Sequence, residues 1–173
     1  MFGVSIIIPT CKTQDQINKQ KLEILNTAVF NKNVVFTCQP ASAAANRNLG
    51  LRMTQGHIVI MLDDDITGFF PGWDEVLLKP MFDHPEFGVV SARLTDGLGR
   101  NAHMMGDPGD DQTPVVDCID NKVCTACIAF RRSTIMFDEN FIGSGFEDDD
   151  FMRQMRAKFP NDRIVINNRC RLI

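Results

Sequence analysis

The sequence predicts an α/β domain built on a doubly wound, mostly parallel sheet. Three observations carry this. Apolar runs at 3–9, 33–38 and 57–62 alternate with two segments of helical character, a β-α-β-α-β order. The chain has 173 residues, the length of one domain with an ordinary core. Its 44% hydrophobic and 23% charged residues are those of a globular protein.

The elements follow in order. "GVSIIIP" at 3–9 is β-branched and continuous, as in a strand buried on both faces, and Pro9 stops it. Residues 14–30 carry Leu22, Leu25 and Val29 at helical spacing, which predicts a helix with that face inward. "NVVFTC" at 33–38 is a second strand. "ASAAANRNLGLRMTQG" is a second helix, with Gly56 placed as its C-terminal cap. "HIVIML" at 57–62 is the third strand. A short helix near 73–83 is expected to be interrupted by Pro80. "GVVSARL" at 88–94 is a strand. Residues 95–114 are rich in Gly, Asp and Pro without periodicity, which predicts a mobile loop bordering the acceptor side of a site. "VVDCIDNKVCTACIAF" resumes strand character. "EDDDFMRQMRAKF" is a helix with Phe151, Met155 and Phe159 on one face, and "RIVINNRCRLI" is a final strand. No internal repeat or interdomain linker is present, so residues 1–173 are expected to form one domain.

Net charge is −4, so no basic surface for nucleic acid or anionic lipid is implied. No segment is apolar for long enough to be transmembrane. The chain enters "VSIIIPT" without a basic leader or cleavage site, which predicts a cytoplasmic protein, or a fragment whose targeting part is absent. Six cysteines include the C-x-x-C pair Cys124 and Cys127, with Cys118 and Cys170 as further ligands if zinc were bound. A second regular pair is missing and "VCTACIAF" alternates like a strand, so inert core thiols are the favoured reading.

The chemistry concentrates in two acidic clusters. "IVIMLDDDI" ends its apolar run in Asp63, Asp64 and Asp65. On an extended chain Asp63 and Asp65 would share one side, beyond the carboxyl end of a strand, where ligands bind in open parallel sheets. Two close carboxylates repel, and an oxygen-ligated cation such as magnesium, manganese or calcium relieves them. Solvation of a turn is the plainer reading. An EF-hand-like spacing over Asp63, Asp65, Thr67, Gly68 and Asp74 is discounted, because a strand precedes it and Pro71 lies inside it. The second cluster, "SGFEDDDF", opens a helix. Ser144 and Glu147 would make a capping box, and acids in a first turn complement the helix dipole. That leaves Asp148, Asp149 and Asp150 only partly explained, and a carboxylate kept ionised there suits a general base.

Two such clusters in this order, on this strand pattern, resemble the glycosyltransferases of the GT-A fold, a Rossmann-like architecture. "VSIIIPT", "ANRNLGL", "LDDDI" and "FDENFIGSGFEDDDFMRQM" resemble, respectively, the first strand, the Arg-Asn-x-Gly helix start, the D-x-D motif and the E-D motif of the family 2 enzymes. The tail, "GFEDDD" followed by "RCRLI", is similar to the β-1,4-galactosyltransferase family. The resemblance implies inverting transfer of a sugar from a nucleotide diphosphate sugar, UDP-linked, to a hydroxyl of a carbohydrate or other acceptor. It implies Mn2+ or Mg2+ on Asp65 and Asp63, and Asp63 and Asp64 beside the nucleotide sugar. Thr10 and Arg47 would meet the donor nucleotide and phosphates, Asp148 would be the base and Glu147 would hold the acceptor. Where those families carry an acidic residue after the second strand, this chain has "TCQPAS", and Ser144 stands in place of an aromatic acceptor platform. The families also place a metal-binding histidine just beyond the "RCRLI" match, for which His103 is a remote substitute. On this reading the catalytic domain is cut short at its C-terminal end. The alternatives are a non-catalytic nucleotide-sugar or carbohydrate binder, and a nucleotidyltransferase, disfavoured because "PTCKTQDQ" has no phosphate-binding glycine.

Overall fold

The computed structural model describes residues 3–30, 33–102, 113–118, 123–141 and 146–173. Its elements are β1 (Val4–Pro9), α1 (Gln14–Thr27), β2 (Val34–Thr37), α2 (Ala43–Met53), β3 (Ile58–Leu62), α3 (Trp73–Asp83), β4 (Phe87–Leu94), β5 (Val115–Asp117), β6 (Cys127–Arg131), α4 (Glu147–Lys158) and β7 (Arg163–Leu172). The seven strands form one sheet in the order β2-β1-β3-β6-β4-β7-β5. β1 pairs parallel with β2 and β3, and β4 with β7; β6 is antiparallel to β3 and β4, and β5 to β7. This is the mostly parallel α/β sheet that the apolar runs predict.

Helices cover both faces. On one, α1 and α3 close a core of Ile6, Ile8, Ile24, Ile60, Trp73, Leu77 and Leu78. On the other, α2 and α4 close a core of Ile7, Leu51, Val59, Ile128, Phe130, Phe151 and Met155. Phe151 stacks on Phe137 with centroids 4.3 Å apart and meets Phe130 edge-on. α2 lies close on β1 because Gly50 has no side chain: a Cβ there would come within 2.2 Å of Ile7 Cγ2. None of the helices among the described residues is long and apolar enough to cross a membrane.

Four local expectations are corrected. Leu22, Leu25 and Val29 are 61%, 37% and 54% exposed, while α1 turns Gln20 and Ile24 inward. Pro80 does not interrupt α3. A proline removes the bond to the carbonyl four residues back, and here that carbonyl, on Val76, accepts from Asn167 Nδ2 at 2.7 Å. Gly56 is not the cap of α2, which ends at Thr54 in extended backbone. Instead Arg132 donates to Leu51 O, Gly56 O and Thr54 Oγ1, and a Cβ on Gly56 would collide with Ser5. The strand expected across "VCTACIAF" begins only at Cys127. The expected loop at 95–114 lies partly outside the described residues; its first part is a tight turn closed by the bridge between Thr95 and Asn101.

Candidate active site

The two acidic clusters, 82 residues apart at Asp65 and Glu147 in the sequence, meet at one buried arginine. Arg47 projects from the first turns of α2. Its Nη1 donates to Glu147 Oε1 at 3.0 Å and lies 3.6 Å from Asp148 Oδ1, and its Nη2 donates to Asp63 Oδ1 at 3.1 Å. The guanidinium lies over the Phe137 ring, 5.4 Å from its centroid. Burial alone would lower the Arg47 pKa, but Asp63 and Asp148 outweigh it and hold the group above the ordinary arginine value. The neighbouring Asn48 ties segment 137–139 to α2: it donates to Phe137 O and Glu139 Oε1 and accepts from Phe137 N, each at 2.8 Å.

Asp63, Asp64 and Asp65 do not continue the strand, which ends at Leu62. They form a turn in which Ile66 N approaches Asp63 O, so the same-side placement of Asp63 and Asp65 on an extended chain is corrected. Each carboxylate has its own environment. Burial pushes the Asp63 carboxyl above the usual range, against the pull of Arg47, with Asp148 and Asp65 adding to the rise. Asp64 accepts from the Thr10 hydroxyl at 2.5 Å, lies 3.6 Å from Lys12 Nζ, and offers its backbone carbonyl to the same ammonium. Asp65 is exposed and has no hydrogen-bond or ion-pair partner among the described residues. The turn is clasped from below by the chain's last residue: Thr67 N donates to Ile173 O at 2.6 Å and Ile173 N to Thr67 O at 3.0 Å.

Asp148 is fixed on its other side by a residue that the sequence reading did not single out. The backbone N–H of Thr125 donates to Oδ2 at 3.0 Å, and the Thr125 hydroxyl to Oδ1 at 2.5 Å. Thr125 is fully buried ahead of β6. The predicted capping box is corrected: the N-cap of α4 is Phe146, at φ 68°, which makes Glu147 the first helical residue rather than the third. Ser144 lies outside the described residues, as does His103. Asp149 is exposed, and Asp150 accepts from Gln154 Nε2 at 2.6 Å. Of the predicted site residues, Thr10 and Asp64 meet at one end and Arg47, Asp63, Glu147 and Asp148 at the other. Lys12 and Thr125 are additions. A lysine in a loop and a threonine in an apolar run carry no signal of their own, since their partners are 52 and 23 residues away.

Five carboxylates (Asp63, Asp64, Asp65, Glu147, Asp148) face two cations, Arg47 and Lys12. Such an excess, with Asp65 exposed at its rim, suits a cation that brings most of its ligands as water or phosphate oxygens. It does not suit an ion caged by protein: no group of three or more His, Cys, Asp or Glu side chains able to hold a metal occurs among the described residues. The cysteines contribute no such group among the described residues either. All six cysteines are free, with Cys118, Cys124, Cys127 and Cys170 buried. Burial pushes Cys118 up to about 11 and Cys170 to about 12, so both are neutral thiols at physiological pH.

The model of the family described as Glycosyl transferase family 2 matches residues 20–136. No curated protein sequence matches the chain. Among solved structures, glucosyl-3-phosphoglycerate synthase from Mycobacterium tuberculosis, in complex with Mg2+ and UDP, superposes with a TM-score of 0.65 at 13% identity, covering 95% of this chain and 68% of its own. TarS of S. aureus superposes with a TM-score of 0.62 at 17% identity over 94% of this chain, which spans 34% of the TarS chain. Its 1–349 form in complex with UDP gives 0.62 at 16%, covering 95% of this chain and 57% of that one. These likenesses establish the fold.

Proposed function

Since the chain belongs to glycosyl transferase family 2 and is a glycosyltransferase built on the GT-A sheet, we propose that it moves a sugar from a UDP-linked donor to an acceptor hydroxyl, with inversion and with a divalent cation. The observation that carries this is the Arg47 bridge, which sets a candidate base, Asp148, directly across from the donor-side turn at Asp63. In the proposed step the acceptor hydroxyl gives its proton to Asp148 as its oxygen bonds to the anomeric carbon. The bond from that carbon to the diphosphate oxygen breaks on the opposite face, and the nucleoside diphosphate leaves with the electron pair.

Thr125 holds Asp148 by one lone pair on each oxygen, which leaves the other lone pairs for the incoming hydroxyl. Glu147, which the resemblance would set against the acceptor, is 4% exposed and bonds Arg47, so in this reading it keeps that arginine in place. Thr10, Asp64 and Lys12 tie the loop after β1 to the acidic turn, where the nucleotide and its phosphates would lie. Mn2+ or Mg2+, held by Asp65 with Asp63 beside it, would neutralise charge gathering on the leaving diphosphate. The UDP donor is supported by the two fold neighbours solved with UDP. The backbone pairing of Thr67 with Ile173 brings the end of the "RCRLI" stretch to within two residues of Asp65 along the chain.

The competing reading is a non-catalytic nucleotide-sugar or carbohydrate binder. Turnover separates the two. Nucleoside diphosphates and their sugars, screened by thermal shift with and without Mn2+ and Mg2+, should single out UDP. Asp148→Asn should keep that shift while transfer falls by about 10²–10⁴-fold. Undiminished transfer in Asp148→Asn would remove the base assignment, and nucleotide shifts without any turnover would favour the binder.

A further inference from the structure

Asn48 follows Arg47 on α2 and is 2% exposed. Its side-chain amide pairs with the backbone of Phe137, a residue that lies in no strand or helix. Oδ1 accepts from Phe137 N, and Nδ2 donates to Phe137 O and to Glu139 Oε1. A buried backbone N–H and C=O must find partners, and outside a ladder one side-chain amide can supply both. Asn48 thus does for Phe137 what a neighbouring strand does for a strand residue.

What these bonds fix is a flat ring that touches two parts of the site. The Phe137 ring stacks on Phe151 with the planes 7° apart, and the Arg47 guanidinium lies over it. Phe151 stands three residues after Asp148 on α4, so the two share one side of that helix. Arg47 reaches Asp148 directly, at 3.6 Å. Both routes to the base therefore pass through one ring, whose backbone Asn48 holds. Gln154 of α4 adds a tie to the same segment, donating to Met136 O at 3.2 Å. The donor turn has supports of its own: Thr10 and Lys12 hold Asp64, and Asp63 N donates to Ala126 O at 2.8 Å.

We propose that Asn48 is a positioning residue for the base: it sets the Phe137 ring against Arg47 and α4, and so the place of Asp148 across from the donor turn. The proposal rests on the glycosyl-transfer reading above. It gives two consecutive residues separate duties, Arg47 joining the acidic clusters and Asn48 fixing the surface on which they are joined. A residue that merely staples the fold lowers stability; one that positions the base also moves kcat apart from donor binding.

Asn48→Asp keeps the acceptor for Phe137 N but sets a carboxylate against Phe137 O and Glu139. UDP release from the UDP-sugar that wild type accepts is measured well below the variant's Tm. There kcat should fall about ten- to hundredfold, the cost of displacing a catalytic group, while donor KM and the calorimetric Kd for UDP with Mn2+ stay within about twofold. Glu139→Gln in the same background turns the clash into a hydrogen bond and should recover part of kcat. Phe137→Leu keeps the backbone that Asn48 binds but removes the flat ring, and should reproduce the loss if Asn48→Asp does not fold. Hydrogen exchange followed by NMR gives a readout that needs no turnover. In Asn48→Asp the Thr125 amide, which donates to Asp148, should exchange at least about tenfold faster, while the Asp63 amide, which donates to Ala126, keeps its protection. Wild-type kcat in folded Asn48→Asp, donor affinity lost in proportion to kcat, or an unchanged Thr125 amide overturns the proposal. Absence of UDP release from wild type with every UDP-sugar removes the transferase reading instead, and faster exchange confined to Thr125 then still upholds Asn48 as the residue that fixes Asp148.

Discussion

Replacing Arg47 by Gln isolates the residue on which both acidic clusters converge. The Arg47–Glu147 pair is buried on both sides, each side chain 6% exposed. Removing one partner of a buried pair costs about 3–5 kcal/mol, because the other charge stays behind without compensation. The contacts to Asp63 and Asp148 are partly open to solvent, which limits each to about 1 kcal/mol or less. A domain of this length is stable by about 5–15 kcal/mol, and loses about 2–4 °C of Tm per kcal/mol. Arg47→Gln should therefore lower Tm by about 6–20 °C by differential scanning calorimetry. The loss should be smaller at pH 5 than at pH 8. A carboxyl whose folded pKa lies above its unfolded one costs stability above that pKa and recovers it as pH falls through it. Asp63 is already raised by burial, and Arg47 is the group that holds it down. Removing Glu147 as well, in Arg47→Met/Glu147→Met, should recover much of the loss. A Tm within about 2 °C of wild type, or a loss that grows on acidification, would refute the reasoning.

Asp65→Asn should abolish cation-dependent nucleotide binding while Tm stays level or rises, since it removes an exposed charge from a repulsive cluster; calorimetric titration of UDP with and without Mn2+ checks this. Thr125→Val keeps the backbone donor to Asp148 but removes the hydroxyl, so kcat should fall at little cost in donor affinity, and Thr125→Ser should restore it. Of six thiols, Cys11 and Cys38 are exposed, so a disulfide reagent should titrate two rapidly at pH 8 and the rest only on unfolding.

The parts of the fold written locally were legible. Continuous apolar runs place β1, β3 and β4, and the spacing of Phe151 and Met155 gives the inward face of α4. What failed depended on partners far along the chain. Leu22, Leu25 and Val29 make a convincing stripe, but the way α1 meets α3 turns Ile24 inward instead. Pro80 reads as a breaker because nothing near it shows that Asn167, 87 residues on, satisfies the carbonyl it orphans. Both acidic clusters were visible, and so was Arg47. That Arg47 joins them could not be read from spacing, because its partners lie 16 and 100 residues away.

The interior position of β7 has a consequence for how the chain reaches this state. β7, which follows β4 and β5 in the sequence, lies between them in the sheet, so the sheet cannot close until residues 163–172 are available. As the chain leaves the ribosome, β1, β2 and β3 can assemble early, whereas β4 waits with one side unpaired for a partner that begins 69 residues after its own end. A nascent or proteolysed chain lacking residues from Arg163 onward is thus not a trimmed domain. It presents a long apolar strand edge open to the next chain, the template from which aggregates grow.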